Sequence, residues 1–327
     1  MSVGWVAGSV RARAMANRRL GRDAAFQVAA SPSSLAAVDR LARTTYGRHV
    51  HAGQSAAEAE RGVLQALAWN ARVLAGWTTR DGVSTLRALL APLEILDIEE
   101  HLQRLARAVN EPAPGSRSPG VGPSPGTTVD LAPVELGGLG TAWPRLRGAA
   151  TPSAVRAGLA ASAWGDPGGD SPREVLLWLR CSAADRVTMV VPLASGWAAT
   201  ATALLLAREL LTGAGPLPPL AALSAARVVG RAAAHANRLA DLADALPRPA
   251  RPALEGVTGP ADLWAAEARW WRAVEHDSED LVRSPRPGPA VLVGAVGLLA
   301  ADAWRVRAAL EAAARGGVGA EVFRAVA

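Results

Sequence analysis

The chain has 327 residues, of which 50% are hydrophobic and 20% are charged, and its formal net charge is +6. Every basic residue is arginine, so a GxxxxGK[ST] phosphate loop and a lysine Schiff base are excluded. The single cysteine, Cys181, excludes a disulfide framework and a finger-type zinc site. The modest net charge does not indicate a nucleic-acid partner.

Helical signals dominate from one end of the chain to the other. Alanine and leucine favour helices, whereas alternating β-branched runs are scarce, so the sequence predicts an all-α protein. The clearest helical period lies between residues 55 and 78, where Val63, Leu67, Leu74 and Trp77 share one stripe. The other predicted helices span residues 6–20, 31–43, 80–90, 96–108, 173–185, 197–212, 219–245, 260–282 and 290–314.

Membrane and secretion signals are weak. The N-terminal segment lacks an unbroken apolar region with a small-residue cleavage site, so we expect no secretion. Residues 187–207 carry no charge, but Pro192 and the pair Ser195–Gly196 divide them into a short apolar run and a new helix start. We therefore expect a soluble chain.

One segment, residues 111–130, is dense in proline, glycine and serine, and this composition predicts a flexible linker. Softer breaks lie at residues 216–219 and 247–260. These breaks predict a first helical module, a linker, a second helical module and a third helical module. Their boundaries are 1–110, 111–140, 141–215 and 216–327.

A short pattern occurs on both sides of this linker. Residues 31–33 (SPS) precede LARTTYG, which ends at Tyr46–Gly47, and residues 151–153 (TPS) precede LAASAWG, which ends at Trp164–Gly165. Each copy is typical of a capped helix with a glycine stop. A further similarity links LRALL at 86–90 with VRAAL at 306–310. Together they indicate a helical module used about three times.

Three polar clusters are candidates for metal chemistry. His49 and His51 form an HxH pair without a third ligand nearby, which favours solvated loop histidines over a metal site. Glu94, Asp97 and His101 share a helix face, and an acidic helix start explains them better than a metal site. The run from 275 to 280, EHDSED, is typical of a solvated helix end.

No nucleophile pattern is present, and Cys181 is interpreted as a buried, inert cysteine rather than a reactive thiolate. We therefore predict no catalytic, cofactor-binding or metal residues. Tryptophans are scattered, so we expect core packing, with Trp270 and Trp271 partly exposed. Arginines recur at helical spacing, including Arg87, Arg305 and Arg307. A solvated face is the simpler interpretation, and a docking surface for an acidic or polar partner is the alternative.

As a whole the chain resembles the C-type central-stalk component of the V-type and A-type rotary ATPases, which is termed d-type in eukaryotic complexes. The resemblance covers roughly residues 5–108 and 260–327. Its motifs are diffuse, and their order and spacing carry it. The segments are VRARAMANRRL, SLAAVDRLARTTYG, NARVLAGW, RDGVSTLRALL, APLEILDIEEHLQRLA and AVLVGAVGLLAADAWRVRAALEAAARGGVGAEVFRAV.

Two modules depart from the family pattern. The segment SGWAATATALLLARELL, at 195–211, lacks the acidic residue and keeps only Arg208. In the C-terminal module, Asp302 stands alone in place of paired acidic residues, and Arg305 occupies the position of the usual asparagine. These departures concern contacts that the family conserves. The fold that the resemblance implies is a funnel of three similar helical modules around a pseudo-threefold axis.

The resemblance implies a non-catalytic function without a cofactor. Such a protein couples the rotor shaft to the membrane proteolipid ring in an ion-translocating complex that makes or hydrolyses ATP. Its expected partners are shaft subunits of the D and F types and the ring, with one copy per complex and no nucleic acid. It would lie at the cytoplasmic face of the cell membrane, touching the membrane only through the ring. The expected protein-binding residues are Arg11, Arg13, Arg87, Arg305 and Arg307.

Two alternatives remain beside this interpretation. A free-standing helical-repeat adaptor would bind a protein partner outside any ATPase, and an enzyme is disfavoured because the sequence offers no site.

Overall fold

The computed structural model describes residues 3–110, 131–316 and 323. These residues form α-helices and short 3-10 turns without any β-strand, so the all-α prediction is confirmed. Residues 111–130 of the predicted linker 111–140 lie outside the described residues. The rest of that linker is not a free segment, because Val134, Leu136 and Leu139 are buried in the core. The helices are α1 (Val3–Ala16), α2 (Arg22–Ala29), α3 (Ser34–Leu41), α4 (Ala56–Ala75), α5 (Arg80–Leu89), α6 (Ala91–Asn110), α7 (Trp143–Leu146), α8 (Pro152–Ala160), α9 (Pro172–Val190), α10 (Ser195–Leu211), α11 (Pro219–Val229), α12 (Arg231–Ala234), α13 (Leu239–Ala245), α14 (Leu263–Val282) and α15 (Pro289–Ala314).

Side-chain caps define the starts of several helices. Ser55 and Glu58 form a capping box at the start of α4, and Ser171 and Glu174 form the same box at the start of α9. Each box satisfies two backbone N–H groups that the first helical turn leaves unpaired. Single caps open α3 at Ser33 and α8 at Thr151. The SPS and TPS segments therefore do open helices, as predicted.

Several predicted helices have different bounds in the structure, and two of these differences have a clear local cause. The sequence predicts one helix over 219–245, but these residues form α11, α12 and α13. The first break falls at Gly230, whose φ of 91° is a left-handed value that favours glycine. The helix expected at 96–108 begins five residues earlier, at Ala91, because Pro92 fits the first turn of a helix.

The apolar residues form three main clusters. The first combines α1 to α4 with α15, so that Leu41 and Leu74 share a core with Leu310. The second joins α6, α8, α9 and α11, and the third joins α10, α13, α14 and the 3-10 turn Arg248–Leu254. Helices α1 to α4 and α15 therefore share one core although they are far apart in the sequence.

The longest helix, α15, passes through the middle of the fold. Among the described residues it is the one helix long and apolar enough to cross a membrane, and 78% of that apolar window is buried inside the protein. Such burial is typical of a core helix. Residues 187–207, the other uncharged stretch, are divided as expected between α9, the 3-10 turn Pro192–Ala194 and α10.

Candidate functional site

A cavity of about 570 Å³ lies among seven helices, namely α4, α5, α6, α9, α10, α14 and α15. Leucine, alanine and valine side chains make up much of its wall, including Leu64, Leu205 and Val296. Its size falls in the range of protein pockets that bind ligands or partner side chains. The helices that enclose it come from every third of the chain, so tertiary folding alone creates it.

Four tryptophans line one part of this cavity: Trp197, Trp270, Trp271 and Trp304. The rings of Trp271 and Trp304 are stacked with centroids 6.0 Å apart, and the ring centroid of Trp270 lies 4.6 Å from that of Trp271. Trp270 and Trp271 are half-buried, as predicted. The wall thus presents a large aromatic surface, which suits an apolar partner.

Among the described residues, three ion pairs between the surrounding helices place a side chain on the cavity wall. Each of them joins two helices that are far apart in the sequence, and at least one side chain of each lines the cavity. All three pairs are partly exposed, so each adds about 1 kcal/mol of stability at most. They are Glu99–Arg180 between α6 and α9 (2.7 Å), Arg208–Glu267 between α10 and α14 (3.9 Å), and Arg307–Glu60 between α15 and α4 (3.1 Å).

A small apolar cluster joins these helices near the turns that connect α9 to α10 and α14 to α15. It consists of Ala88, Val191, Ala194 and Val293, all buried. Ala88 and Ala194 also line the cavity. This end of the cavity is therefore closed by apolar packing.

Asp302, on α15, is a buried carboxylate that holds the N-terminal part of the chain. Its two oxygens accept hydrogen bonds from the amides of Leu20 and Gly21, at 3.0 and 2.8 Å, just before α2. The hydroxyl of Tyr46 donates a third bond of 2.8 Å. Burial and the nearby Asp302 charge raise the pKa of Tyr46 well above its usual value, so this hydroxyl keeps its proton.

Glu94, on α6, makes an equivalent set of bonds. One carboxylate oxygen accepts from the amides of Thr141, Ala142 and Trp143, at 2.7, 2.7 and 2.8 Å, at the start of α7. The other accepts a 3.0 Å bond from the indole nitrogen of Trp164. The aromatic residues of both sequence repeats, Tyr46–Gly47 and Trp164–Gly165, therefore serve one purpose, which is to bind a buried carboxylate.

Arg305 is not on the surface, and its expected role as an exposed protein-binding residue is wrong. Its side chain is 2% exposed and donates a 2.6 Å hydrogen bond to Glu275, which is also buried. Glu275 accepts a second bond from Arg22. The EHDSED run lies at the end of α14, as predicted, and His276, Asp277 and Asp280 are exposed there. Glu275 and Ser278 in the same run are buried.

The expected acidic helix start is present, since Glu94 lies in the first turn of α6, and both Glu94 and Asp97 are buried. Asp97 pairs with Arg61 at 2.9 Å and accepts from the amide of Val134, while Arg61 also reaches Glu100. Burial raises the pKa of Asp97 to about 6, against the lowering effects of Val134 and Arg61. The Nε2 atom of His101 lies 2.9 Å from the carbonyl oxygen of Ala149. No group of three or more metal-ligating side chains occurs within the described residues.

The remaining predicted arginines lie in different places. Arg11 is exposed and stacks over the ring of Trp77, and Arg13 donates to the carbonyl oxygens of Val282 and Ser284. Two more lie elsewhere: Arg87 donates to the carbonyl oxygen of Gly138, and Arg307 lines the cavity. Arg11 and Arg13 are therefore both on α1 but contact different parts of the fold, and the structure does not join the five arginines into one surface.

Cys181 is fully buried, and burial raises the pKa of its thiol to about 12, as expected for an inert cysteine. His51 is exposed, as predicted, whereas His49 is half-buried against Trp69. Burial lowers the pKa of His49, so this ring favours its neutral form.

Of the five predicted protein-binding arginines only Arg307 lines the cavity, and sequence reasoning did not assign the other lining residues to a site. The spacing of charged residues was a usable signal, because Glu99 follows the buried Glu94 by five positions and Arg307 follows Asp302 by five positions.

No protein-family model matches the chain, and no curated protein matches it.

Proposed function

We propose that this chain is a central-stalk subunit of a V/A-type ion-translocating rotary ATPase, coupling the rotor shaft to the membrane proteolipid ring. The observation that carries the proposal is the central cavity, which is enclosed by helices from every third of the chain and walled by tryptophan rings. A coupling subunit needs such a socket because it must hold a shaft without a covalent link.

The proposal includes a funnel of three similar helical modules with a pseudo-threefold arrangement, divided near residues 110, 140 and 215. The ion pairs around the cavity support it, since they follow a cyclic order: α6 to α9, α10 to α14, and α15 to α4. The buried carboxylates Glu94 and Asp302 support it as well, because each lies five residues before an ion-paired residue at the cavity, Glu99 or Arg307. The corresponding position on α10, five residues before Arg208, is Ala203, which is buried.

The cavity's volume limits what enters it. One turn of helix, about 5.4 Å long and about 10 Å in diameter, fills roughly 420 Å³. The cavity of about 570 Å³ therefore has room for at least one turn of a helix with apolar side chains. In the proposed complex this segment is the foot of a D-type or F-type shaft subunit.

In this proposal the chain itself is non-catalytic and binds no cofactor. Its role in ATP synthesis or hydrolysis and in ion transport is mechanical, with one copy per complex. The chain sits at the cytoplasmic face of the cell membrane and reaches the membrane through the ring.

Co-purification with shaft subunits of the D and F types and with the ring tests the proposal. Ala300 lines the cavity and is half-buried, so Ala300→Trp should fill it and abolish shaft binding. Ala273, exposed on α14, offers a matched control, and Ala273→Trp should bind as wild type does. If the wild-type chain captures neither shaft nor ring, the rotary proposal is wrong and the adaptor interpretation replaces it.

A further inference from the structure

Helix α1 lies across two helix–helix connections on the outside of the fold. Its glycines Gly4 and Gly8 approach the backbone between Trp77 and Thr79 closely, beside the start of α5. On its other side, Ser9 accepts a 3.0 Å hydrogen bond from the amide of Gly288, beside the start of α15. These contacts fix one face of α1 and leave the opposite face outward.

The outward face of α1 is apolar. Val3 is 85% exposed, Val6 42% and Val10 63%, and their spacing of three and four residues aligns them in one stripe. Trp77, 50% exposed at the end of α4, lies beside α1 under the guanidinium of Arg11, 5.1 Å from its ring centroid. We call these four apolar residues, together with Arg11, the α1 face.

Arginines predominate around the α1 face. Arg11, Arg80 and Arg286 are exposed, and none of them makes an ion pair within 4 Å among the described residues. Helix α1 contains no acidic side chain. Nearby acidic groups are Asp81, which is exposed, and the carboxylates Glu279 and Asp280, which pair with Arg283. The free charge at this end is therefore mainly positive.

We propose that the α1 face contacts the surface of an anionic lipid bilayer directly. Aliphatic side chains, an exposed tryptophan and unpaired arginines are the combination that lies at the boundary of headgroups and acyl chains. The face is the outside of a helix, and neither the central cavity nor the pocket between α9 and α11 includes α1. A fluid surface fits such a convex shape without a complementary groove.

This contact is independent of the proposed rotary function and adds to the contact that the ring would make. Its direction agrees with the central cavity, because α1 lies against the turn from α14 to α15, which is one of the two turns beside the Ala88 cluster. A shaft would enter from the far side. The α1 face would then be turned toward the membrane.

Co-sedimentation of the purified chain with vesicles tests this inference. We expect binding to vesicles that contain phosphatidylglycerol, and at least tenfold weaker binding to vesicles of phosphatidylcholine alone. Val10→Glu should weaken binding to the anionic vesicles at least tenfold. Leu35→Glu, a matched change at a residue 56% exposed on α3, should leave binding within twofold of wild type.

Thermal melting of both variants controls for folding, and Val10→Ser repeats the test without a new negative charge. Three results would each overturn the inference: no sedimentation of wild type with anionic vesicles, equal loss in Leu35→Glu, or sedimentation only when the vesicles contain the proteolipid ring. The last result would assign the α1 face to a protein instead. None of these results bears on shaft binding in the cavity.

Discussion

The hydroxyl of Tyr46 donates a 2.8 Å hydrogen bond to Oδ2 of Asp302, a residue 256 positions further along the chain. Both side chains are buried, at 7% and 1% exposure. The bond closes the loop after α3 onto the last helix, while the amides of Leu20 and Gly21 bind the same carboxylate. Trp164 and Glu94 repeat this relationship between α8 and α6.

Tyr46→Phe should lower the free energy of unfolding by about 1.5–3 kcal/mol, because it removes one hydrogen bond to a buried charged group. Urea denaturation measures this. In a chain that already carries Asp302→Asn, Tyr46→Phe should lower the free energy of unfolding by clearly less, because the hydroxyl no longer binds a charged carboxylate. Equal costs in both backgrounds would show that the loss does not come from this bond.

Alkaline pH should destabilise the protein through two side chains. The chain has one tyrosine, one cysteine and no lysine, so below the range of arginine few other groups titrate there. Folding raises the pKa of Cys181 from 9.0 to about 12, and it raises that of Tyr46 well above 10.0. Their contribution to stability is therefore complete below about pH 9 and is lost as the pH rises toward 12 and beyond.

Urea denaturation at about pH 8 to 11 measures that loss, since the window spans the ordinary pKa values of both groups. The ultraviolet absorbance of phenolate reports Tyr46 alone, and it should appear together with unfolding rather than before it. The double variant Tyr46→Phe with Cys181→Ala should show a flatter dependence on pH. Phenolate formation near the ordinary tyrosine pKa of about 10 in a chain that remains folded would contradict the prediction.

Arg305 and Arg307 lie two residues apart on α15 and should respond differently to the same change. Arg305→Gln leaves the buried Glu275 with less compensation, so we expect a loss of about 3–5 kcal/mol. Arg307 is 39% exposed in its pair with Glu60, so Arg307→Gln should cost about 1 kcal/mol at most. Urea denaturation measures the loss of unfolding free energy in each variant. Similar losses would contradict the prediction that the buried pair of Arg305 costs more to break than the exposed pair of Arg307.

Gly294 allows α14 and α15 to approach each other. A Cβ atom there would lie 2.5 Å from the carbonyl oxygen of Ser278 and 2.8 Å from the amide nitrogen of Val282. Alanine normally stabilises a helix interior by up to about 1 kcal/mol over glycine. We nevertheless expect Gly294→Ala to destabilise the fold by at least about 1–3 kcal/mol, because backbone must shift.

Gly196, on α10, is the matched control, since a Cβ atom there would meet only Pro249 at 3.6 Å. Gly196→Ala should be neutral or stabilising. The melting temperature should therefore fall for Gly294→Ala and stay level or rise for Gly196→Ala. A rise in the melting temperature of both variants would show that α14 and α15 can accommodate a Cβ atom at position 294 without a backbone shift.

Features that depend on near neighbours follow from the amino-acid sequence alone. Alanine and leucine content sets the all-α class, the caps at Ser55 and Ser171 set two helix starts, and Pro192 sets the break between α9 and α10. Local composition also places Cys181 inside. In each case the deciding interaction spans only a few residues.

Which charged residues are buried depends instead on tertiary contacts. The sequence predicts an acidic helix start at Glu94 and Asp97 and a solvated face at Arg305, yet each of these three residues is at most 2% exposed. Their partners include backbone amides and side chains 30 or more positions away, such as Trp164 for Glu94 and Glu275 for Arg305. A helical period shows which residues share a face, but it does not show what packs against that face. Burying a charge is favourable only once those distant partners are in place, and folding alone brings them there.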